Sequence, residues 1–465
     1  MRITDPARAK PSFSLLNYSI VRSALHALAS ENSMVGSGWD ECLQIAKANP
    51  SYNRAVGSLV TLVIADSVGH PLEFVNVDTT PLDAPTRKSY LHPSLAEDGT
   101  LAYQGALNKF ALLPGQWTDD ASMALCVADS LLACGTYIGG DCRARFHNWW
   151  NYGYNNAFRL DTERENTHSV GLGGNIAASL YELDGLHGKK GKQISAVFTR
   201  EGEDAGNGSI MRLAPIPIRY SHNVGLAMDI AELHSYGTHP GADAAQCCRF
   251  MAFFICRAIH RDAATDPSPL YAFLDRTIDE YIKTQKPSLK MTALLQAKPQ
   301  AATEACWDWK SERLPIPTTI QARRGGYNGH PVIPSYFGAY CMDGLAMALW
   351  AMSQSSSATD GIVKVVNLCG DADTTGAIAG QMLGAFYGYR ALLDDPMGRR
   401  MVENLRVRDP DGEVPLRAAL LMADGERAGP EEQNLSVYAV KKRKGTTNAK
   451  NKDESKRSRE EVAED

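Results

Sequence analysis

Between residues 55 and about 389, apolar side chains recur at three- and four-residue spacing, the period of helices that each bury one face. The pattern predicts helices over 55–68, 122–133, 143–150, 174–183, 224–234, 242–259, 269–284, 340–352 and 375–390, with one more at 415–422. Strand-like alternation between hairpin turns is absent, as is any repeat at a fixed solenoid period. The expected fold is all-α, a single large globular orthogonal helical bundle with motif-bearing loops at helix N-termini. Residues 1–50 read as a partly helical extension with patterns at 16–29 and 39–48, residues 51–425 as the main domain, and 426–465 as a charged, disordered tail. In the 375–390 helix, Gly376, Gly380, Gly384 and Gly388 fall every four residues on one face. Each interior glycine costs about 1 kcal/mol relative to alanine, so this stripe predicts close approach by another backbone.

Composition narrows the class. The 465 residues are 44% hydrophobic and 22% charged, as in a soluble globular protein. The apolar runs at 250–256 and 345–352 are too short to span a membrane, and the N-terminus lacks the apolar core of a secretory signal. Ten scattered cysteines without a C-x-x-C pair point to reduced thiols rather than zinc or a disulfide framework. From Val440 onward nine Lys/Arg face six Asp/Glu, so the rest of the chain carries 39 against 47, a balance of −8. An acidic body argues against nucleic acid as the main partner. A cytoplasmic monomer is expected, with the basic tail offering a route to the nucleus.

Two acidic motifs carry the chemistry: Trp117-Thr118-Asp119-Asp120 and, beginning 251 positions after Asp120, Asp371-Ala372-Asp373-Thr374. Each sets carboxylates beside a threonine hydroxyl at a predicted helix start. Each alone is also what a capped helix looks like, since Thr and Asp suit helix N-termini. Brought together, they would offer six oxygen-bearing side chains to a hard divalent cation, and would repel one another strongly without it. Glu73 follows a Gly/Pro turn after the 55–68 helix. Gly206-Asn207-Gly208-Ser209 can turn successive backbone N–H groups toward an anion or be an ordinary tight turn. His239 precedes the 242–259 helix, where a lone histidine is often only a structural hydrogen-bonder.

In order along the chain, Gly57-x₇-Ala65-Asp66-Ser67-x-Gly69-x-Pro71-x-Glu73, Trp117-Thr118-Asp119-Asp120-x-x-Met123, Gly206-Asn207-Gly208-Ser209-x-Met211-Arg212, Thr238-His239 and Gly370-Asp371-Ala372-Asp373-Thr374-x-Gly376 resemble the ADP-ribosylglycohydrolase family. The resemblance covers roughly residues 53 to 392. It implies an all-α hydrolase with two Mg²⁺ or Mn²⁺ ions, held by Thr118, Asp119, Asp120, Asp371, Asp373 and Thr374. Glu73 matches a glutamate on a flap near the metals, while Gly206, Asn207, Gly208, Ser209 and His239 match regions that hold ADP-ribose. The implied substrate is an ADP-ribosylated protein or related ADP-ribose conjugate, and the implied reaction is glycosidic cleavage through an oxocarbenium-like transition state. Glu73 and Asp120 are both candidates for its general acid or base. A catalytically inactive ADP-ribose binder and a metal-dependent nucleotide phosphohydrolase are the rival readings.

Three positions depart from the family pattern: Ala121 stands where Thr is common, Cys369-Gly370 replaces Gly-Gly, and the 169–175 segment lacks the Asp-x-Gly of arginine-directed bacterial members. The acceptor residue stays open.

Overall fold

A computed structural model describes residues 38–80, 83–86, 107–184, 194–200 and 205–427. The helical pattern at 16–29 and the charged tail lie outside these. In chain order the helices are α1 (Gly38–Ala48), α2 (Pro50–Gly69), α3 (Asp119–Cys134), α4 (Gly139–Tyr152), α5 (Gly174–Asp184), α6 (Pro215–Arg219), α7 (Val224–Ser235), α8 (Ala242–Ile259) and α9 (Leu270–Gln285). They continue with α10 (Leu289–Leu295), α11 (Ile316–Arg323), α12 (Cys341–Ser353), α13 (Ala358–Val366), α14 (Ala372–Tyr387), α15 (Tyr389–Asp394), α16 (Pro396–Arg408) and α17 (Glu413–Arg427). Among the described residues, the strands are the two-residue pair β1 (Gly326–Tyr327) and β2 (His330–Pro331), which form an antiparallel hairpin. The fold is all-helical, as the period of the apolar residues predicts.

The centre of the molecule is the packing of α2 against α14. Helix α2 starts where Asn49 accepts N–H bonds from Ser51 and Tyr52, with Pro50 in the first turn. It is buried on every face from Ala55 to Gly69, which explains why its apolar residues occur all round the helix rather than in one stripe; Ser58, Thr61, Asp66 and Ser67 are the polar groups buried with them. The segment Pro50–Leu72 is long and apolar enough to cross a membrane, yet its most apolar 18-residue stretch lies wholly inside the fold. The glycine stripe is the reason α14 comes so close. A Cβ on Gly384 would sit 2.1 Å from the Gly57 carbonyl, on Gly380 2.6 Å from that of Thr61, and on Gly376 3.0 Å from that of Ala65. Gly388, expected to continue the stripe, instead ends the helix in a left-handed conformation (φ +84°) and separates α14 from α15.

The 13-residue α16 and the short helices α6, α10, α11, α13 and α15, none longer than 9 residues, go beyond the predicted set. Several open on or near a proline, and the few turns of the short ones give too little periodic signal to register. Helix α1, read from sequence as part of an extension, packs on α2 and α17; Trp39 is buried and donates its indole N–H to the Asp409 carbonyl at 2.6 Å.

Candidate metal centre and cleft

Both acidic motifs open helices, but neither is spent on capping. Thr118 and Asp371 occupy the N-cap positions of α3 and α14 without making a side-chain cap bond. Their oxygens point elsewhere. The second motif is aimed by a tight reversal: Cys369 (φ +64°) and Gly370 (φ +72°) are both left-handed, so the cysteine occupies backbone space that suits glycine. The Glu73 segment is laced to this turn. Phe74 N–H donates to the Gly370 carbonyl at 3.0 Å, and Gly370 N–H donates back to Val75 at 2.8 Å.

The acidic groups expected to meet do meet, and Asp66 joins them. Carboxylate oxygens of Asp66, Asp120 and Asp373 lie within 4.8 Å of one another, and so do those of Glu73, Asp371 and Asp373. Asp373 is common to both triads. Thr118 Oγ1 lies 3.3 Å from Asp120 Oδ2 and 3.5 Å from Asp373 Oδ2. Asp119 faces Asp373 and Asp371 electrostatically, and the left-handed Gly171 (φ +89°) lies so close that a Cβ there would fall 2.1 Å from its Oδ1. Thr374 donates its backbone N–H to Asp373 Oδ1 at 2.8 Å. Asn207 donates to Asp371 Oδ2 at 2.6 Å, tying the Gly206–Ser209 turn to the second motif.

Burial, then mutual repulsion, disfavours the charged forms. Asp371 is pushed up to about 8 by burial and by Asp373, and Asp373 to about 6 by burial and by Asp66. Glu73, Asp119 and Asp120 are held well above the ordinary carboxylate range, by burial first and by neighbouring carboxylates second. Glu73 Oε2 and Asp120 Oδ1 are buried without any hydrogen-bond partner. Two orphaned oxygens within an all-oxygen donor set fit hard divalent cations such as Mg²⁺ or Mn²⁺.

Asp66 has a different task from its neighbours. Its two oxygens accept from Thr118 N–H (3.0 Å to Oδ1), Thr118 Oγ1–H (2.8 Å) and Ala121 N–H (2.9 Å). It thereby anchors the start of α3, and burial raises it to about 6 despite those bonds. The contact at position 121 uses backbone only, so alanine there preserves it. Asp66 lies inside one of the motif segments, but nothing in its spacing distinguished it from an ordinary buried helix residue.

Above the acidic base opens a cleft of about 530 Å³, a size suited to a nucleotide-like ligand. Glu73, Asp119, Asp371, Asp373 and Thr374 line it, whereas Thr118 and Asp120 are buried and do not. Gly206, Asn207, Gly208 and His239 form part of its wall. Ser209 does not: its hydroxyl is buried 2.9 Å from that of Ser235, away from the lining. Gly171, Asn175, Arg200, His330 and Tyr336 also line the cleft, and apart from the glycine-rich 169–175 segment they carried no motif signal. Tyr336 stacks on Phe74, ring centroids 5.8 Å apart, and the charge of Asp371 raises its phenol.

Comparison with known proteins agrees with this geometry. A family model described as ADP-ribosylglycohydrolase matches residues 47–426. The chain is 26% identical over 336 residues to an ADP-ribosylarginine hydrolase Tri1 of Pseudomonas putida, covering 72% of this chain and 71% of the relative. It is 25% identical to the protein of the same name from Serratia proteamaculans, over 76% of this chain and 78% of that one. An ADP-ribosylhydrolase ARH3 of Danio rerio is 26% identical over 72% of this chain and 83% of its own length. Among solved structures, an ADP-ribosylglycohydrolase-related protein complex superposes with a TM-score of 0.53 at 23% identity, covering 80% of this chain and 99% of that one, which supports the fold.

Proposed function

The chain belongs to the ADP-ribosylglycohydrolase family, and from that premise we propose that it is a divalent-metal-dependent hydrolase cleaving the glycosidic bond between ADP-ribose and a modified protein side chain or a related conjugate. One observation carries this reading: two carboxylate triads sharing Asp373, with orphaned oxygens on Glu73 and Asp120, at the base of a nucleotide-sized cleft.

Thr118, Asp119, Asp120, Asp371, Asp373 and Thr374 would hold two Mg²⁺ or Mn²⁺ ions. Such ions, when bound, orient hydroxyls and acidify water. The remaining work falls to the chain itself. Glu73 lines the cleft and Asp120, fully buried, does not, so Glu73 is the better placed to take a proton from water attacking the ribose C1. The bond from C1 to the acceptor atom breaks, water supplies the new C1 hydroxyl, and the proton that Glu73 takes from that water is delivered to the leaving atom. Asn207 steadies Asp371 through its amide. The Gly206–Gly208 turn and His239 form the wall against which ADP-ribose is held.

A non-catalytic binder would not need this unbroken set of oxygen ligands, and a phosphohydrolase is favoured by the metal centre alone. Incubating the protein with arginine-, serine- and poly-ADP-ribosylated substrates, with Mg²⁺, Mn²⁺ or a chelator, separates the readings. Metal-dependent release of free ADP-ribose from at least one substrate is expected. Release of phosphate, or no product from any substrate, overturns the proposal.

A further inference from the structure

Beside the cleft lies a fully buried arginine that, among the described residues, bonds to no carboxylate and feels Asp119 only through space. Arg212 makes no hydrogen bond to a carboxylate among the described residues, and its guanidinium sits 4.5 Å above the Phe146 ring. A guanidinium only donates hydrogen bonds, which determines the protons around it. Its Nε donates to His234 Nε2 at 3.1 Å, so His234 carries its proton on Nδ1, an atom buried without a partner. Its Nη2 donates to Thr238 Oγ1 at 2.6 Å. Thr238 must then place its own hydrogen, and the acceptor within reach among the described residues is His239 Nδ1, 2.8 Å away. The opposite arrangement would aim two donors at Thr238 and leave a buried hydroxyl hydrogen with no acceptor.

We propose that Arg212 is a positioning residue: through Thr238 it fixes His239 as the tautomer protonated on Nε2, giving the cleft a permanent neutral donor for an oxygen of the bound nucleotide. This rests on the reading of the cleft as an ADP-ribose site. The Nε2 edge of the ring faces the Gly206–Gly208 turn: a Cβ on Gly206 would lie 3.3 Å from Nε2, and one on Gly208 3.2 Å. His239 lines the same cleft as the acidic base. Burial, the Arg212 charge and then His330 hold His239 well below the ordinary histidine range, in keeping with a neutral ring. A relay of this kind also accounts for keeping an unpaired guanidinium in the core, where a hydrophobic side chain would pack without the cost of desolvating a charge.

The test uses full-length protein labelled with ¹⁵N-histidine, the His239 resonances being assigned by loss in His239→Gln. In the wild type, Nε2 should be the protonated nitrogen. Thr238→Val keeps the shape and removes the relay; it should mix the tautomers and weaken ADP-ribose binding, measured by calorimetry, about tenfold. Thr238→Ser should restore both. A wild-type signal with the proton on Nδ1 overturns the proposal, and so does unchanged ADP-ribose affinity in Thr238→Val. Should that variant fail to fold, the wild-type resonances still decide the tautomer. If wild type binds no ADP-ribose, the functional reading fails, and with it the ligand half of this proposal, while the tautomer half stands or falls on the resonances alone.

Discussion

Asp373 is the residue on which the centre turns, because it belongs to both carboxylate triads. Asp373→Asn keeps the shape and removes one charge from each, so activity should fall at least about a hundredfold. The same change relieves repulsion with Asp66 and Glu73. In chelator, the variant should therefore melt at or above the wild-type temperature. Full activity in the variant would remove Asp373 from the mechanism. The raised carboxyls also set a pH dependence. In metal-free protein Asp371 keeps its proton up to about 8, whereas in the unfolded chain it is ionised above about pH 4. The folded state thus binds more protons in that window, and its stability falls as pH rises through it. Cations require the ionised oxygens, so the melting temperature with Mg²⁺ minus that with chelator should grow from pH 5 to pH 8. A difference that stays flat across this range would contradict Asp371 as a ligand.

At the scale of elements, the α2–α14 contact positions the second motif. The gap left by glycine narrows from Gly376 to Gly384, with would-be Cβ contacts of 3.0 Å and 2.1 Å to carbonyl oxygens of α2. Alanine gains about 1 kcal/mol of helix propensity at either site. At Gly376 that gain should roughly offset the crowding, leaving the variant near neutral. At Gly384 the two backbones must separate, and Gly384→Ala should destabilise by about 2 kcal/mol net. Chemical denaturation of the two variants measures the order directly, and equal stabilities would mean the contact is looser than described. The stripe was visible in the spacing of the glycines, while its partner was not, because α2 lies more than 300 residues earlier in the chain. Helix α8, with its regular apolar face, spans Ala242–Ile259 as its period predicts. Helix α3 begins three residues before its apolar pattern, since Asp119 and Asp120 form its first turn.

Across the whole molecule, folding closes an interval of 251 positions to bring two motifs to one cleft. Metal should bind only the assembled site, raising stability by about 2.7 kcal/mol at a hundredfold excess over its Kd. ADP-ribose should bind more tightly with Mg²⁺ or Mn²⁺ than after chelation, as calorimetry in both conditions will show; equal affinities would mean that the metals do not touch the nucleotide. Helical class, the metal-like oxygen chemistry and the order of the family motifs were legible in the sequence alone, because hydrophobic period and ligand type are properties of short segments. Tertiary structure alone decided that Asp66 anchors the first motif, that Ser209 turns into the core, and that Arg212 reaches the cleft through Thr238 and His239. Those outcomes depend on which helices lie against one another and at what distance, and side-chain packing between distant segments determines that.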